Sequence, residues 1–285
     1  MSFHIFVSDL IFETGILVRF IKFSSQSFVI HPKTIIRSLL TVIAAMFAIS
    51  FLILMYARFI EPHWIKIQTV NISDKPTLTI IHISDIHHKG DKKYLNRIIK
   101  RINRIQADFV CFTGDMIEDK KYLDECLKAI SEINKPVYGI YGNHDQWAHV
   151  SSSEVAGYFA KTGGKWLERA DWAIYSNRVC IIGECEPPNL PAAQTPRIKI
   201  LLNHYPGSVR HLPPHSYDLI LSGHTHGGQV NIPFIGTPVI SKEDAVYLKG
   251  LFKTEAGPLY VNPGLGTYYL PLRFMCRPEI TVIKL

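Results

Sequence analysis

The chain lacks the marks of a disulfide-stapled protein. Its 285 residues hold five cysteines: Cys111, Cys126, Cys180, Cys185 and Cys276. The number is odd and no two form a CxxC pair, which argues against a disulfide framework. Cys111 and Cys180 lie in apolar strand-like runs and read as small core residues. No lysine/arginine block and no nucleic-acid-binding motif occurs, so the net charge of +7 is not by itself a nucleic-acid signature. That charge suits an anionic partner, such as a phosphate ester or an acidic membrane surface. There is no internal repeat and no low-complexity tract. With 47% hydrophobic residues the chain can build a sizeable core, which excludes disorder as the default reading.

Charge is also missing from one long stretch. "SLLTVIAAMFAISFLILMY", Ser38 to Tyr56, runs nineteen residues without an ionisable acid or base of the Asp, Glu, Lys or Arg type. About 20 such residues cross a bilayer. The run is apolar all round rather than striped, and Arg37 and Arg58 bracket it, which favours a membrane span over a buried core helix. It starts too deep for an ordinary signal peptide, and no twin arginine precedes it. Arg19, Lys22, Lys33 and Arg37 stand before it and Arg58, Lys66 and Lys75 after it, a slight lean toward an internal N-terminus. The apolar segment 3–21 carries Asp9 and Glu13 and reads as an interfacial segment or a poor second span, which would reverse the sidedness. The expected organisation is an N-terminal cytoplasmic or interfacial segment (1–37), a transmembrane helix (38–56), a juxtamembrane linker (57–76) and a soluble domain (77–285).

"EPHWIKIQTVNISDKP" reads as a juxtamembrane strand and linker. Beyond it, strands are expected at Leu78–Ser84, Asp108–Thr113 and Val137–Tyr141, with helices near Lys93–Gln106, Tyr122–Ile133 and Glu154–Lys161. Strands at Val179–Gly183, Ile198–Asn203, Leu219–Ser222, Leu259–Asn262 and Ile280–Ile283 follow. A βαβαβ opening and a strand-rich second half indicate a mixed α/β domain. Pro187–Pro196 reads as a loop.

Five of these strands end in potential metal ligands. After "LTIIHIS" come Asp85 and His87. After "DFVCFT" come Gly114 and Asp115. After "VYGIY" stands "GNHD", with Asn143, His144 and Asp145. "IKILLN" ends at His204, and "LILS" is followed by "GHTH", with His224 and His226. Ligands bind at the carboxyl ends of strands in open α/β sheets, so five such endings point to one site. The donors are oxygen and imidazole nitrogen without thiolate, a set suited to Mn, Fe, Zn or Ni. There are enough for two ions about 3.5–4 Å apart, with one carboxylate bridging, an arrangement that clamps an in-line displacement at phosphorus.

The ordered series "DIH", "GD", "GNHD", a strand-end His and "GHTHGG" resembles the calcineurin-like metallophosphoesterases. The tail "GLGTYYLPLRFMCRPEITVIKL", "GHTHGGQVNIPFIG" and "EPHW" are similar to a bacterial membrane-associated branch of that family, so the resemblance runs from Glu61 to Leu285. It implies a four-layer sandwich of two mixed β-sheets flanked by helices. It implies Asp85, His87 and His226 around one metal, Asn143, His204 and His224 around a second, and Asp115 bridging both. A hydroxide between the metals would attack phosphorus. His144 would stabilise or protonate the leaving oxygen, oriented by Asp145. The cofactors would be two divalent ions, manganese being the expected choice in vitro, and the location a single pass through a bacterial inner membrane.

Other residues have plainer readings. His82 reads as a packed strand residue and His88 as lying behind the site or exposed. His211 and His215 read as surface residues. Glu118, Asp119 and Asp124 read as a solvated helix start. Arg273 and Arg277 either contact phosphate or pair with Glu279 or another acid. "YYLPLRF" and "IPFI" read as sheet packing, unless both line the cleft mouth, where they would receive an acyl chain or rest on a bilayer. The expected substrate is a phosphate ester or pyrophosphate, one candidate being a lipid-linked pyrophosphate such as a UDP-2,3-diacylglucosamine. No nucleic acid or obligate protein partner is expected. The competing readings are a non-catalytic scaffold of the same fold, which should lack ligands, and a nuclease, which should carry a basic groove.

Overall fold

A computed structural model of the chain describes residues 32–185, 198–238 and 244–285. The segments 3–21 and Pro187–Pro196 lie outside the described residues. The chain divides into two units, residues 1–48 and 49–285.

Helix α1 spans Pro32–Met55. It begins earlier than the charge-free run because proline suits the first helical turn, where its missing N–H leaves no hydrogen bond unmade. The helix is long and apolar enough to cross a membrane, and none of its most apolar window is buried against protein. It passes into a π-turn at Tyr56–Ile60 and a 3-10 turn at Glu61–His63.

The second unit holds two six-stranded sheets. The first sheet uses β1 (Lys66–Asn71), β2 (Thr79–Ile83), β3 (Phe109–Phe112), β4 (Val137–Gly139), β5 (Lys165–Trp166) and β12 (Glu279–Lys284), in the order β1-β12-β2-β3-β4-β5. The second uses β6 (Trp172–Tyr175), β7 (Val179–Gly183), β8 (Ile198–Leu202), β9 (Leu219–Ser222), β10 (Gly250–Lys253) and β11 (Pro258–Val261), in the order β10-β11-β9-β8-β7-β6. Both are mixed. β2 to β5 run parallel, and β12 pairs antiparallel to β2 and parallel to β1. β7, β8, β9 and β11 run parallel, with antiparallel β6 and β10 at the edges.

Central parallel strands are covered on both faces and so read as continuous apolar runs. Ile80, Phe109, Cys111 and Ile140 meet Ile181, Ile200, Leu202 and Leu221 between the sheets. The outer face of the first sheet packs under α2 (Lys92–Arg104), α3 (Leu123–Ile130) and α5 (Ser152–Lys161), with the short α4 (Asn143–Trp147) following β4. Helix α2 buries Leu95, Ile98, Ile99 and Ile102, the i, i+3, i+4, i+7 stripe of an amphipathic helix. Asp91 caps it by accepting from the Tyr94 N–H at 2.9 Å. The outer face of the second sheet is covered by short 3-10 segments, including Pro206–His211.

The sequence reading missed β5, β6 and β10. β5 has two residues, β10 alternates half-buried and exposed positions, and β6, "WAIY", is a short apolar run that is half-buried throughout at the sheet edge. The strand expected in the juxtamembrane segment is β1, which pairs with β12 over six residues and so belongs to the first sheet.

His82 is a packed strand residue, as expected, and is fully buried on β2. Thr113 Oγ1 donates to Ser84 Oγ at 2.8 Å, so the 2.9 Å contact between His82 Nε2 and Thr113 Oγ1 has the ring as donor. His82 Nδ1 is left buried without a partner. Burial pushes its pKa down to about 3. The fold therefore holds His82 neutral, while the unfolded chain protonates it near its ordinary value of about 6.5. This contribution to stability is complete above that value and is lost as pH falls toward 3. Between pH 7.5 and pH 5 the loss is about 2 kcal/mol at about 1.4 kcal/mol per unit. Urea unfolding in detergent should show His82→Gln losing less stability than wild type over that interval; an equal loss would contradict the assignment.

Candidate metal centre

The carboxyl ends of β2, β3, β4, β8 and β9 deliver the predicted ligands to one place. His87 Nε2 lies 3.0 Å from His226 Nε2, and His226 Nε2 lies 3.5 Å from Asp85 Oδ1. Beside them, Asn143 Oδ1 is 2.9 Å from His204 Nε2 and 3.1 Å from His224 Nδ1. Asp115 Oδ2 lies between the two groups, 3.3 Å from His87 Nε2 and 3.4 Å from His204 Nε2. All seven candidate ligands are brought together. Asp85, His87, Asp115 and His226 also form a buried group whose donor atoms converge closely enough to hold a cation.

The backbone is bent to achieve this. Asp85, His87, Asp115, His224 and His226 have φ between 42° and 68°. Such left-handed conformations are uncommon away from glycine and collect where function demands a side-chain direction. Two glycines let the loops approach. A Cβ on Gly142 would stand 2.1 Å from Asp115 Oδ1, and one on Gly223 would stand 1.9 Å from Ser84 Oγ.

The donor chemistry fits a cation. Carboxylates and carbonyls only accept, so His87 donates from Nδ1 to Glu118 Oε2 at 2.8 Å and His204 donates from Nδ1 to Thr113 O at 2.7 Å. In each neutral ring the Nε2 lone pair then faces inward, toward the other acceptors. Lone pairs at these distances repel unless positive charge sits among them. The outer hydrogen bonds fix the ring tautomers as metal ligands require. Burial opposes charging His87, but Asp115 and Glu118 outweigh it and raise its pKa to about 9. His204 reaches about 9 against the same penalty, chiefly through Asp115. Burial pushes the Asp115 carboxyl up, but the His204 and His87 imidazoles override it and hold it well below the usual range. The site selects positive charge, as proton or as cation.

Several outer residues depart from the sequence reading. Asp145 is not hydrogen-bonded to His144. Its Oδ2 accepts from the N–H of Asp115 and Gly142, and its Oδ1 from the N–H of Met116. It ties the β3 and β4 loops together rather than orienting an imidazole. Burial and the Asp115 charge push its pKa up to about 7, against the pull of those N–H groups. The carboxylate near His144 is Glu118, whose Oε2 is 3.5 Å from His144 Nδ1. In sequence Glu118 looks like part of a solvated helix start, one glutamate beside Asp119 and Lys120. Asp119 and Asp124 do stay on that surface, with Lys121 and Lys128. His88 is buried behind the site, 2.9 Å from Glu125. Tyr268, also missed, sets its ring 5.1 Å from His144 and 6.0 Å from His226.

Neither arginine reading holds. Arg273 is fully buried and donates to the carbonyls of Pro263, Gly266 and Cys276, bracing a loop whose Gly266 N–H bonds Asp85 O. Arg277 lies 4.0 Å over the Trp64 ring and donates to Trp64 O.

A two-sheet α/β sandwich with imidazole and carboxylate donors gathered at its strand ends is the architecture of a metal-dependent phosphohydrolase. The chain belongs to the calcineurin-like phosphoesterase family, whose profile matches residues 78–228. The uncharacterized metallophosphoesterase YkuE of Bacillus subtilis is 33% identical over 256 residues, 81% of this chain and 88% of its own length. The phosphodiesterase YaeI of Escherichia coli is 29% identical over 251 residues, 81% of this chain and 92% of its own. The UDP-2,3-diacylglucosamine pyrophosphatase LpxG of Chlamydia trachomatis is 24% identical over 321 residues, 87% of this chain and 96% of its own. The chain is a phosphate-ester hydrolase.

Adding manganese to chelator-treated protein should raise the melting temperature by about 5–10 °C at roughly 100 times Kd. Asp115→Asn should remove most of that rise. Thermal scanning in detergent tests this, and a melting temperature indifferent to cations would count against the centre.

Proposed function

We propose that the chain hydrolyses phosphate esters at a dinuclear centre and that its substrate is membrane-associated. Asp85, His87 and His226 hold one divalent cation, Asn143, His204 and His224 hold the other, and Asp115 is shared. The observation that carries this reading is the position of Asp115 Oδ2, about midway between the imidazole nitrogens of the two groups. Two such cations, when bound, neutralise phosphate charge and lower the pKa of water.

The chain's own residues supply the rest. His144 is buried beside His87, their ring centroids 4.6 Å apart. Burial, and then the His87 charge, push its pKa down. Glu118 opposes that shift and steadies the ring from Nδ1, so that His144 delivers a proton to the leaving oxygen. Tyr268 forms one wall of the site beside His144. Helix α1 serves as a single pass through a bacterial inner membrane, which keeps the site near lipid substrates.

A second reading is a pyrophosphatase acting on a UDP-2,3-diacylglucosamine. It is favoured by the similarity to LpxG along most of both chains.

Detergent-purified protein with manganese should release product from bis-p-nitrophenyl phosphate. Asp115→Ala should lower turnover by at least about 10³-fold, and His144→Ala by about 10²–10⁴-fold. Glu118→Gln should show a smaller loss. Higher kcat/KM on UDP-2,3-diacylglucosamine than on the small diester would select the second reading. Metal-independent turnover, or full activity in Asp115→Ala, would sink both.

A further inference from the structure

Two loops beside the metal centre carry apolar side chains that no part of the described protein covers. In the turn Ile232–Gly236, Phe234 is fully exposed and Ile235 is 74% exposed. In the other loop Tyr269 is 78% exposed, and Leu270 and Met275 are also outside. These are the "IPFI" and "YYLPLRF" segments, which are therefore not sheet packing. Large apolar tips of this kind mark a contact surface rather than a core.

The turns are held in shape. Ile232 and Gly236 exchange backbone hydrogen bonds of 2.9 and 2.8 Å, closing the 232–236 turn. Gln229 Nε2 donates to Tyr268 O and Leu270 O, and Gln229 Oε1 accepts from Tyr268 N. Asn231 N donates to Phe274 O and its side chain donates to Met275 O, joining the two loops. A rigid presentation of apolar tips lowers the ordering cost of docking.

The same loops are bonded to the foot of the apolar helix. Arg273 N donates to Ala57 O, and the buried Glu61 carboxylate accepts from the N–H of Met275 and Cys276. Phe59, Ile60 and Trp64 extend the exposed apolar surface from that foot. Arg58 and Pro271 line one cleft, and Lys249, Met275 and Arg277 line another, so cations border the patch. Apolar tips, an aromatic residue and bordering cations next to an apolar helix are the composition of a membrane-interface surface.

We infer that the Ile232–Gly236 turn and the Tyr269–Leu270 tip dock into the surface of the bilayer that helix α1 enters, as a second membrane contact. The occupant is the lipid surface itself, and anionic headgroups meet the bordering cations. The inference rests on the reading of α1 as a span. It also sets the mouth of the metal centre against lipid, because Tyr268 faces the histidines while its neighbour Tyr269 faces outward. A lipid-borne phosphate then reaches the site without leaving the interface.

The test uses the full chain in proteoliposomes of phosphatidylethanolamine and phosphatidylglycerol, with and without brominated acyl chains. Phe234→Trp and Ile235→Trp report the turn, Phe47→Trp reports the helix, and Lys161→Trp on α5 is the water-facing control. The signal of the four native tryptophans is subtracted. Bromine should quench the added tryptophan at 234 or 235 at least about twofold more than at 161. Quenching at both turn positions no greater than at 161 overturns the inference, as does a blue-shifted emission that bromine leaves unchanged, which would mean a protein partner. Loss of quenching at Phe47→Trp would instead refute the span. No arm depends on turnover, so a failure of the proposed activity is seen separately.

Discussion

One carboxylate oxygen, Asp115 Oδ2, stands between two inward-facing imidazole lone pairs, and much of the second unit serves to hold that arrangement. Left alone, electron pairs so close would push apart. Three devices prevent it. Thr113 O and Glu118 fix the two rings from outside. Asp145 binds the N–H groups of both loops that flank the centre. Arg273 anchors the carbonyls of the loop lying over Asp85. Asp145 and Arg273 are buried, and their hydrogen bonds to backbone groups are therefore costly to disturb.

The cost also appears in backbone conformation. Five of the seven candidate ligands are left-handed at φ. Each such residue stores free energy that the sheets beneath must offset. The parallel strands do so through burial on both faces, which explains why a short strand such as β3, "FVCF", ends without fraying in a bent loop. Rigid sheet and strained loop are two halves of one device: the former sets position, the latter direction.

The candidate ligands were legible in the sequence because each sits directly after an apolar run, and a strand end can be located from pattern alone. The mixed two-sheet architecture followed from the same runs. Less legible were roles set by partners far away in the chain. Glu118 looks like surface until His87, thirty-one positions earlier, is seen against it. Arg273 looks like a phosphate ligand because a charged residue in an apolar tail suggests a use for its charge, whereas its guanidinium is spent on the carbonyls of Pro263, Gly266 and Cys276 and on the Cys276 sulfur. Asp145 follows His144 directly, which suggested a partnership that the helical turn does not allow: neighbouring positions on a helix do not face each other. The edge strands β6 and β10 are four residues each and only partly buried, too short and too weakly patterned to stand out.

β12 lies inside the first sheet, between β1 and β2, although it is drawn from residues 279–284. Its neighbours come from residues 66–83. During synthesis β1 and β2 therefore emerge with a vacant slot between them, and the sheet cannot close until residues 279–284 have left the ribosome. Glu61 must likewise wait for Met275 and Cys276. The apolar helix, by contrast, is complete long before. Folding is thus ordered: the residues of the apolar helix are made first, and the metal centre assembles only after residues 279–284 have been made.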